Sequence, residues 1–462
     1  MGLGLFGGGT DVCRFLVREG ARVTATDLKT KRELAPSLKP LEGLPITFHL
    51  GAHREEDFTQ VNLVIVNPAV PSDSPYLELA RRSDVTLDTA MNIFFRLCPA
   101  RIIGVTGTSG KSTTASLIWT ILREVNPRAY LGGNIGHKPL LTHLARLKAQ
   151  DWVVLELSSF QLQALSAIER SPHFAVVTNI SPNHLDRHQS LEEYIGAKQA
   201  IVRYQGPKDA AFLNYEDPIV SLWGKLAGGE TFFFSRINQL DRGAWVENKK
   251  IGCRVRKGET VSIPVQDIRL PGLHNLENVL AALGPVVLAG VEASPIRQAL
   301  RKFRGLPHRL EFVGQERRVR YYNDSKATTP ESAITAIRSF ERPILIAGGY
   351  DKKIPLGKLA SEIARNTKAV VLIGQTARTL AKAIARCRTS GNVEICLAKT
   401  LEQAVAMARR RALGGDVVLF SPGCASYDMF TNYEERGEVF RKLIKRSDSE
   451  SGRSSASFRA NA

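Results

Sequence analysis

The stretch Ile102-Ile103-Gly104-Val105-Thr106-Gly107-Thr108-Ser109-Gly110-Lys111-Ser112-Thr113 constrains this chain more than any other. A short apolar run enters a Gly-rich loop that ends in Gly-Lys-Ser and continues into an apolar, helix-like segment. Glycines let consecutive backbone N–H groups converge on phosphate oxygens, and the helix N-terminus adds the positive end of its dipole. In such a loop Lys111 reaches the β- and γ-phosphates and the Ser112 hydroxyl sits on Mg²⁺. The loop therefore points to a nucleoside triphosphate. Its glycine spacing departs from the usual phosphate-loop pattern: Val105 stands where the first glycine belongs, and the nearest glycines are Gly104 and Gly107. The alternative is a strand–helix turn with an incidental lysine.

At 462 residues the chain is too long for one core and suggests about three domains. Its apolar runs, such as residues 285–291, are far shorter than a membrane span, so no membrane insertion is expected. The amino end has no basic region followed by an apolar block and a cleavage site. Six cysteines (Cys13, Cys98, Cys253, Cys387, Cys396, Cys424) lack paired spacing, which argues for reduced thiols in a cytoplasmic protein. The net charge of +18 suits anionic substrates, but Lys and Arg are spread along the chain. There is no aromatic-interleaved basic stripe, so a nucleic-acid partner is not expected. A nucleic-acid-stimulated ATPase remains the rival that charge alone suggests.

Strand–helix alternation recurs three times, which implies α/β architecture with parallel sheets. The expected division is a Rossmann-like segment (1–97), a central phosphate-loop ATPase segment (98–308), a second Rossmann-like segment (309–447) and a disordered tail (448–462) rich in Ser and Arg. In the first segment Gly2, Gly4 and Gly7 fit G-x-G-x-x-G, and Asp27 follows Gly7 by twenty residues, as in a dinucleotide fingerprint. The fingerprint needs a strand before its first glycine and only Met1 precedes Gly2. Either that strand is absent or the true start lies upstream.

Polar residues recur where apolar runs end, the place where open α/β sheets bind ligands. Glu156 ends Trp152-Val153-Val154-Leu155 and can complete a Mg²⁺ octahedron with Ser112 and phosphate oxygens, or else cap the next helix. His184, beside Asp186, can bind metal, move a proton or simply make a structural hydrogen bond. Lys198 on a helix-like stretch reads by itself as a surface lysine. Asn275 and Asn278, three apart, can face a purine or ribose from one helix face, with helix capping by Asn275 as the alternative. Arg309, Asp324 to Thr328, Lys352 and Ser421 to Asp428 form further polar clusters.

Taken in order, Gly107–Thr113, Glu156–Leu162, Asn183–His188, Gly272–Asn278, Pro307–Arg309, Asn323–Thr328 and Ser421–Phe430 resemble the Mur ligases, the ATP-dependent amino-acid-adding enzymes of peptidoglycan synthesis. The resemblance covers about residues 1–445, and that family's loop has the glycine spacing seen here. It implies that Gly107, Thr108, Ser109, Gly110, Lys111, Ser112, Thr113, Asn275, Asn278, Arg309 and Asp324 bind ATP. It implies two Mg²⁺ ions, held by Ser112, Glu156, His184 and a carbamylated Lys198, with Lys111, Glu156, His184 and Lys198 as the catalytic set. Leu5, Asp27, Asn67, Asn134 and His184 would bind the UDP-sugar; Lys326, Thr328, Lys352, Ser426, Tyr427 and Tyr433 would grip D-glutamate. Leu28 stands where a uracil-contacting hydroxyl is usual. The implied activity joins D-glutamate to UDP-N-acetylmuramoyl-L-alanine through an acyl phosphate, in a monomer whose third domain closes onto the second. A ligase for a different amino acid and a folylpolyglutamate synthase are the rivals within the superfamily.

Overall fold

The structure is a computed structural model that describes residues 1–5, 7–135, 139–181, 190–352, 354–387 and 393–457, with side chains up to 445. Contacts divide the chain into two compact units, Met1–Ile268 with Leu276–Lys302, and Arg269–Asn275 with Phe303 onward. The first expected segment and most of the second fall in one unit, where they share a core, while residues 269–275 and 303–308 fall in the other. Phe15, Met91, Ile93 and Phe94 pack in the same apolar cluster as Val153, Leu155 and Leu157.

That cluster lies against a nine-stranded sheet, counted among the described residues. Third from one edge, Arg101–Thr106 pairs in parallel with Trp152–Glu156 on one side and Phe174–Val177 on the other. Ile103, Val105, Val153, Val154, Val176 and Val177 are fully buried, as strands covered on both faces require. Tyr130–Gly133 forms one edge beyond Trp152–Glu156. On the other side Ala210–Asn214, Glu230–Ser235 and Gly243–Glu247 continue in parallel. Lys250–Arg256 and Glu259–Pro264 then turn antiparallel.

The first hundred residues add two two-stranded parallel pairs, Val23–Asp27 with Ile46–Leu50 and Leu63–Ile65 with Thr86–Asp88. Residues 1–5 form no strand. Met1 and Gly2 nevertheless bond to both pairs: Met1 N donates to Ile65 O (2.9 Å) and Gly2 N to Thr26 O (2.9 Å). A cavity of about 530 Å³ extends behind them, lined by Val12, Leu16, Val23, Ala25 and Val64 among others.

In the second unit the sheet order is Glu311–Glu316, Val319–Asn323, Val417–Phe420, Ile344–Ala347, Ala369–Leu372, Glu394–Leu397. Of the last four, Val417–Phe420, Ile344–Ala347 and Ala369–Leu372 are buried throughout, as parallel strands covered on both faces require. The first pair is an antiparallel hairpin, and Glu311–Glu316 is half-buried and polar enough to carry no strand signal of its own. The final helix, Tyr433–Ser457, differs from the expected tail by running on past residue 447. Phe440 and Ile444 anchor it in the core, and elongating a formed helix adds one hydrogen bond per residue fixed.

Candidate active site

The phosphate loop leaves the strand Arg101–Thr106 at Thr106, and the helix Lys111–Val125 starts directly after it. Two glycines are required by shape. Gly107 has φ +145°, and a Cβ there would lie 2.0 Å from Thr178 Oγ1; Gly110 has φ +84°, and a Cβ would lie 2.3 Å from Asn278 Oδ1. The loop is braced from the neighbouring strand. Thr108 N donates to Asn179 O (2.8 Å), Ser109 N to Asn179 Oδ1 (2.9 Å), and Thr178 Oγ1 to Ser109 O (2.6 Å). Lys111 Nζ spans the loop and donates to Gly107 O and Thr108 O, both at 2.9 Å. Ser112 and Thr113 are buried in the first helical turn. Asn278 comes to this loop as well, since its Oδ1 accepts from Thr114 (3.3 Å).

Lys198 is not a surface lysine. It is 2% exposed, and its Nζ donates to Thr106 Oγ1 and Gly107 O, both at 3.1 Å. The Tyr194 ring lies 4.9 Å away. Burial, and then the charge of Lys111, holds this amine well below the usual lysine range, with Glu156 opposing. Periodicity could have revealed the burial: Tyr194, Lys198 and Ile201 share one face of the helix Leu191–Arg203, and both neighbours are core residues.

Glu156 ends its strand directly opposite Val105, so it stands beside the strand that feeds the loop. It does not cap the next helix, because Ser158 and Gln161 form a capping box there. Its Oε1 accepts from Asn134 Nδ2 (3.2 Å), and Asn134 N donates to Glu156 O (2.8 Å). Its Oε2 is buried without a hydrogen-bond partner among the described residues. A buried carboxylate oxygen without a donor, close to a loop shaped for phosphate, suits a hard cation. The donor set of Ser112, Glu156 and phosphate oxygens fits Mg²⁺, which takes few protein ligands in triphosphate sites. His184, with Asn183 and Asp186, lies outside the described residues.

Among the sugar-nucleotide candidates the structure brings Leu5, Asp27 and Asn67 together. Asp27 Oδ2 accepts from Gly4 N and Oδ1 from Lys29 N, both at 2.9 Å, while a Cβ on Gly4 would lie 3.6 Å from Asn67 Nδ2. Leu5 and Leu28 are exposed beside them. Asn134 is placed apart, on Glu156.

In the second unit Asp324 follows the strand Val319–Asn323. It is buried, with Leu310 N (3.1 Å) and the Ser421 hydroxyl (2.7 Å) donating to its carboxylate. Burial pushes it up to about 7, against the pull of those bonds, Arg309 and Arg436. The folded state therefore favours the neutral acid. Its contribution to stability is present at low pH and is lost as pH rises from the unfolded-state value of about 4 through 7. We expect the gain in thermal midpoint from pH 8 to pH 5 to be larger in the wild type than in Asp324→Asn. Equal pH slopes in parallel melting curves would contradict this.

Thr328 and Lys352 line one small cavity with Tyr350, Asp351 and Cys424. Lys326 Nζ lies 5.9 Å from the Tyr433 ring, Ser426 is buried, and the exposed Tyr427 meets Tyr350 edge-on. Asn275 donates to Pro271 O (2.6 Å) from within the helix Leu273–Leu288 rather than capping it. Arg436 escaped sequence reasoning. It is 1% exposed, and its guanidinium donates to Ser325 O (2.7 Å), Cys424 O (3.1 Å) and Ala425 O (3.0 Å). It thereby ties the loop bearing Lys326 to the loop bearing Ser426. Its spacing with Phe440 and Ile444, i, i+4, i+8 on one helix face, is the signal that marks it as buried.

Family models match the chain in three stretches: Mur ligase MurD-like, N-terminal domain (residues 1–87), Mur ligase middle domain (105–286) and Mur ligase, glutamate ligase domain (308–424). The chain is similar to the UDP-N-acetylmuramoylalanine--D-glutamate ligase of Roseiflexus sp. (strain RS-1), 44% identical over 96% of this chain and 97% of that one. The enzyme of the same name from Symbiobacterium thermophilum is 42% identical over 94% of each. Among solved structures, UDP-N-acetylmuramate-alanine ligase MurC from Thermotoga maritima superposes with a TM-score of 0.61 at 20% identity, covering 97% of this chain and 98% of that one. A pseudomurein peptide ligase type C from Methanothermus fervidus gives 0.57 at 18%, covering 95% and 97%. At such identities these two speak for the fold alone.

Proposed function

The chain belongs to the Mur ligase family, and from that premise we propose that it joins D-glutamate to UDP-N-acetylmuramoyl-L-alanine at the expense of ATP, in cytoplasmic peptidoglycan precursor synthesis. The observation that carries the reading is the phosphate loop braced beside Glu156 and the buried Lys198, in a chain whose near-full-length relatives bear that ligase name.

The alanyl carboxylate oxygen attacks the γ-phosphorus, the bond to the β,γ-bridging oxygen breaks, and ADP leaves. The amine of D-glutamate then attacks the acyl carbon, the carbon–phosphate oxygen bond breaks, and nitrogen gives up a proton. This chain's part is placement and charge. The loop N–H groups and Lys111 hold the triphosphate, and Asn275, Asn278, Arg309 and Asp324 hold the nucleoside side. Leu5, Asp27, Asn67 and Asn134 hold the UDP-sugar, and Lys326, Thr328, Lys352, Ser426, Tyr427 and Tyr433 hold D-glutamate. Ser112 with Glu156, and His184 with Lys198, would hold two Mg²⁺ ions, which would supply neutralisation of the transferring phosphoryl group.

Lys198 acts as a carbamate. Burial favours the neutral form of this amine, which is nucleophilic: its lone pair bonds to the carbon of CO₂, one C=O pair moves onto oxygen, and a proton leaves nitrogen. The product is an anionic oxygen donor where an ammonium would repel both Lys111 and a cation. We take the working form to be a monomer that binds no nucleic acid. No helix among the described residues is long and apolar enough to cross a membrane.

ADP release measured with each substrate omitted in turn tests the reading. Sustained release should need both UDP-N-acetylmuramoyl-L-alanine and D-glutamate, with at most about one ADP per enzyme when only D-glutamate is omitted. Release without the sugar nucleotide, with another amino acid preferred, or stimulated by nucleic acid would reject it.

A further inference from the structure

Asp11 lies in the helix Gly8–Arg18, which follows the glycine turn beside Asp27. It is 6% exposed, yet it does not serve that turn. Its carboxylate takes the N–H groups of three successive residues, Leu140 (2.6 Å), Leu141 (2.7 Å) and Thr142 (3.1 Å), and the Thr142 hydroxyl (2.6 Å). Three convergent backbone donors on one carboxylate form an anion nest, and such charge-assisted bonds are about twice as strong as neutral ones.

Those donors end the connection that leaves the edge strand Tyr130–Gly133 through Asn134. The front of the connection is tied to the catalytic strand through the two Asn134–Glu156 bonds (2.8 and 3.2 Å). Its far end closes on its own strand: the Tyr130 hydroxyl donates to Pro139 O, and the Tyr130 ring stacks on His143 at 3.7 Å. Asp11 holds this segment to the helix beside the Leu5–Asp27–Asn67 group, and Arg18 of the same helix adds a longer, exposed bond from Nη1 to Thr142 O (3.3 Å). The two sets of candidate sugar-nucleotide residues are thus joined chiefly through a buried carboxylate.

We infer that Asp11 is a positioning residue for the sugar nucleotide, fixing the connection that carries Asn134 against the helix of the first nucleotide-binding segment. The inference rests on the ligase reading above. The test is Asp11→Asn, which keeps the shape and turns one acceptor oxygen into a donor facing N–H groups. KM for UDP-N-acetylmuramoyl-L-alanine should rise about tenfold, the loss expected for a charge-assisted bond. KM for ATP and for D-glutamate should stay within about twofold, inside that same scale. Amide hydrogen exchange at Leu140 and Leu141 should quicken. Asp151→Asn is the control for plain destabilisation. Asp151 is 1% exposed and bonds Arg128 (2.7 Å) and Lys148 N (2.8 Å), farther along the same chain segment and not on Leu140, Leu141 or Thr142.

An unchanged sugar-nucleotide KM in Asp11→Asn overturns the inference, as does an equal rise in Asp151→Asn or unaltered exchange at Leu140 and Leu141. Failure of the ligase reading is seen separately, as unmutated protein that turns over ATP without the sugar nucleotide.

Discussion

Replacing Lys198 with alanine is expected to lower kcat by about 10²–10³-fold, the range for removing one preorganised charge-stabilising group. Part of the activity should return with acetate or formate. The side chain reaches the phosphate loop from behind and ends at the carbonyl of Gly107, the residue with no room for a side chain. Alanine leaves a pocket about the size of a small carboxylate, bordered by Thr106, Gly107 and the Tyr194 ring. A carboxylate placed there would restore the anionic oxygen of the proposed carbamate, whereas an alkylamine of similar size would not. Retained activity in Lys198→Ala would contradict this account, and so would rescue by the amine. A carbamate carbon signal from protein equilibrated with labelled bicarbonate, absent in the variant, is the direct spectroscopic check.

The second large effect is at Glu156. Glutamine preserves the bond to Asn134 and the packing, since the residue is 3% exposed and the Asn134 donor faces one oxygen only. It replaces the unpartnered oxygen with a neutral amide. If that oxygen faces Mg²⁺, kcat should fall at least about 10³-fold, because metal stabilisation of phosphoryl transfer is worth several kcal/mol and each 1.36 kcal/mol is tenfold. Excess Mg²⁺ should recover part of the loss by mass action. A purely structural acid predicts the reverse. Glutamine would then remove a buried charge, thermal stability would rise or hold, and turnover with its Mg²⁺ dependence would be unchanged.

Much of the fold is legible in the sequence because buried parallel strands are continuous apolar runs. Ile102–Val105, Trp152–Leu155, Phe174–Val177 and Val417–Phe420 announce themselves. Half-buried and mixed strands such as Glu311–Glu316 do not. The phosphate loop is legible because a loop that must pass under phosphate admits only glycine at Gly107 and Gly110. Lys198 and Arg436 are harder. A long cation at helical spacing in an apolar face looks like a snorkelling surface residue until its acceptors are known, and those acceptors include main-chain carbonyls distant in sequence, Gly107 O for Lys198 and Ser325 O for Arg436. Asp11 is hidden for the same reason. Its donors lie about 130 residues away and are backbone N–H groups, which carry no residue signature.

The central claim is that a substrate carboxylate captures the γ-phosphoryl group before the amine arrives. The most direct measurement follows oxygen-18 from the labelled alanyl carboxylate of UDP-N-acetylmuramoyl-L-alanine during turnover with ATP and D-glutamate. The account predicts one labelled oxygen in each inorganic phosphate released. Phosphate free of label, with amide product still formed, would contradict it.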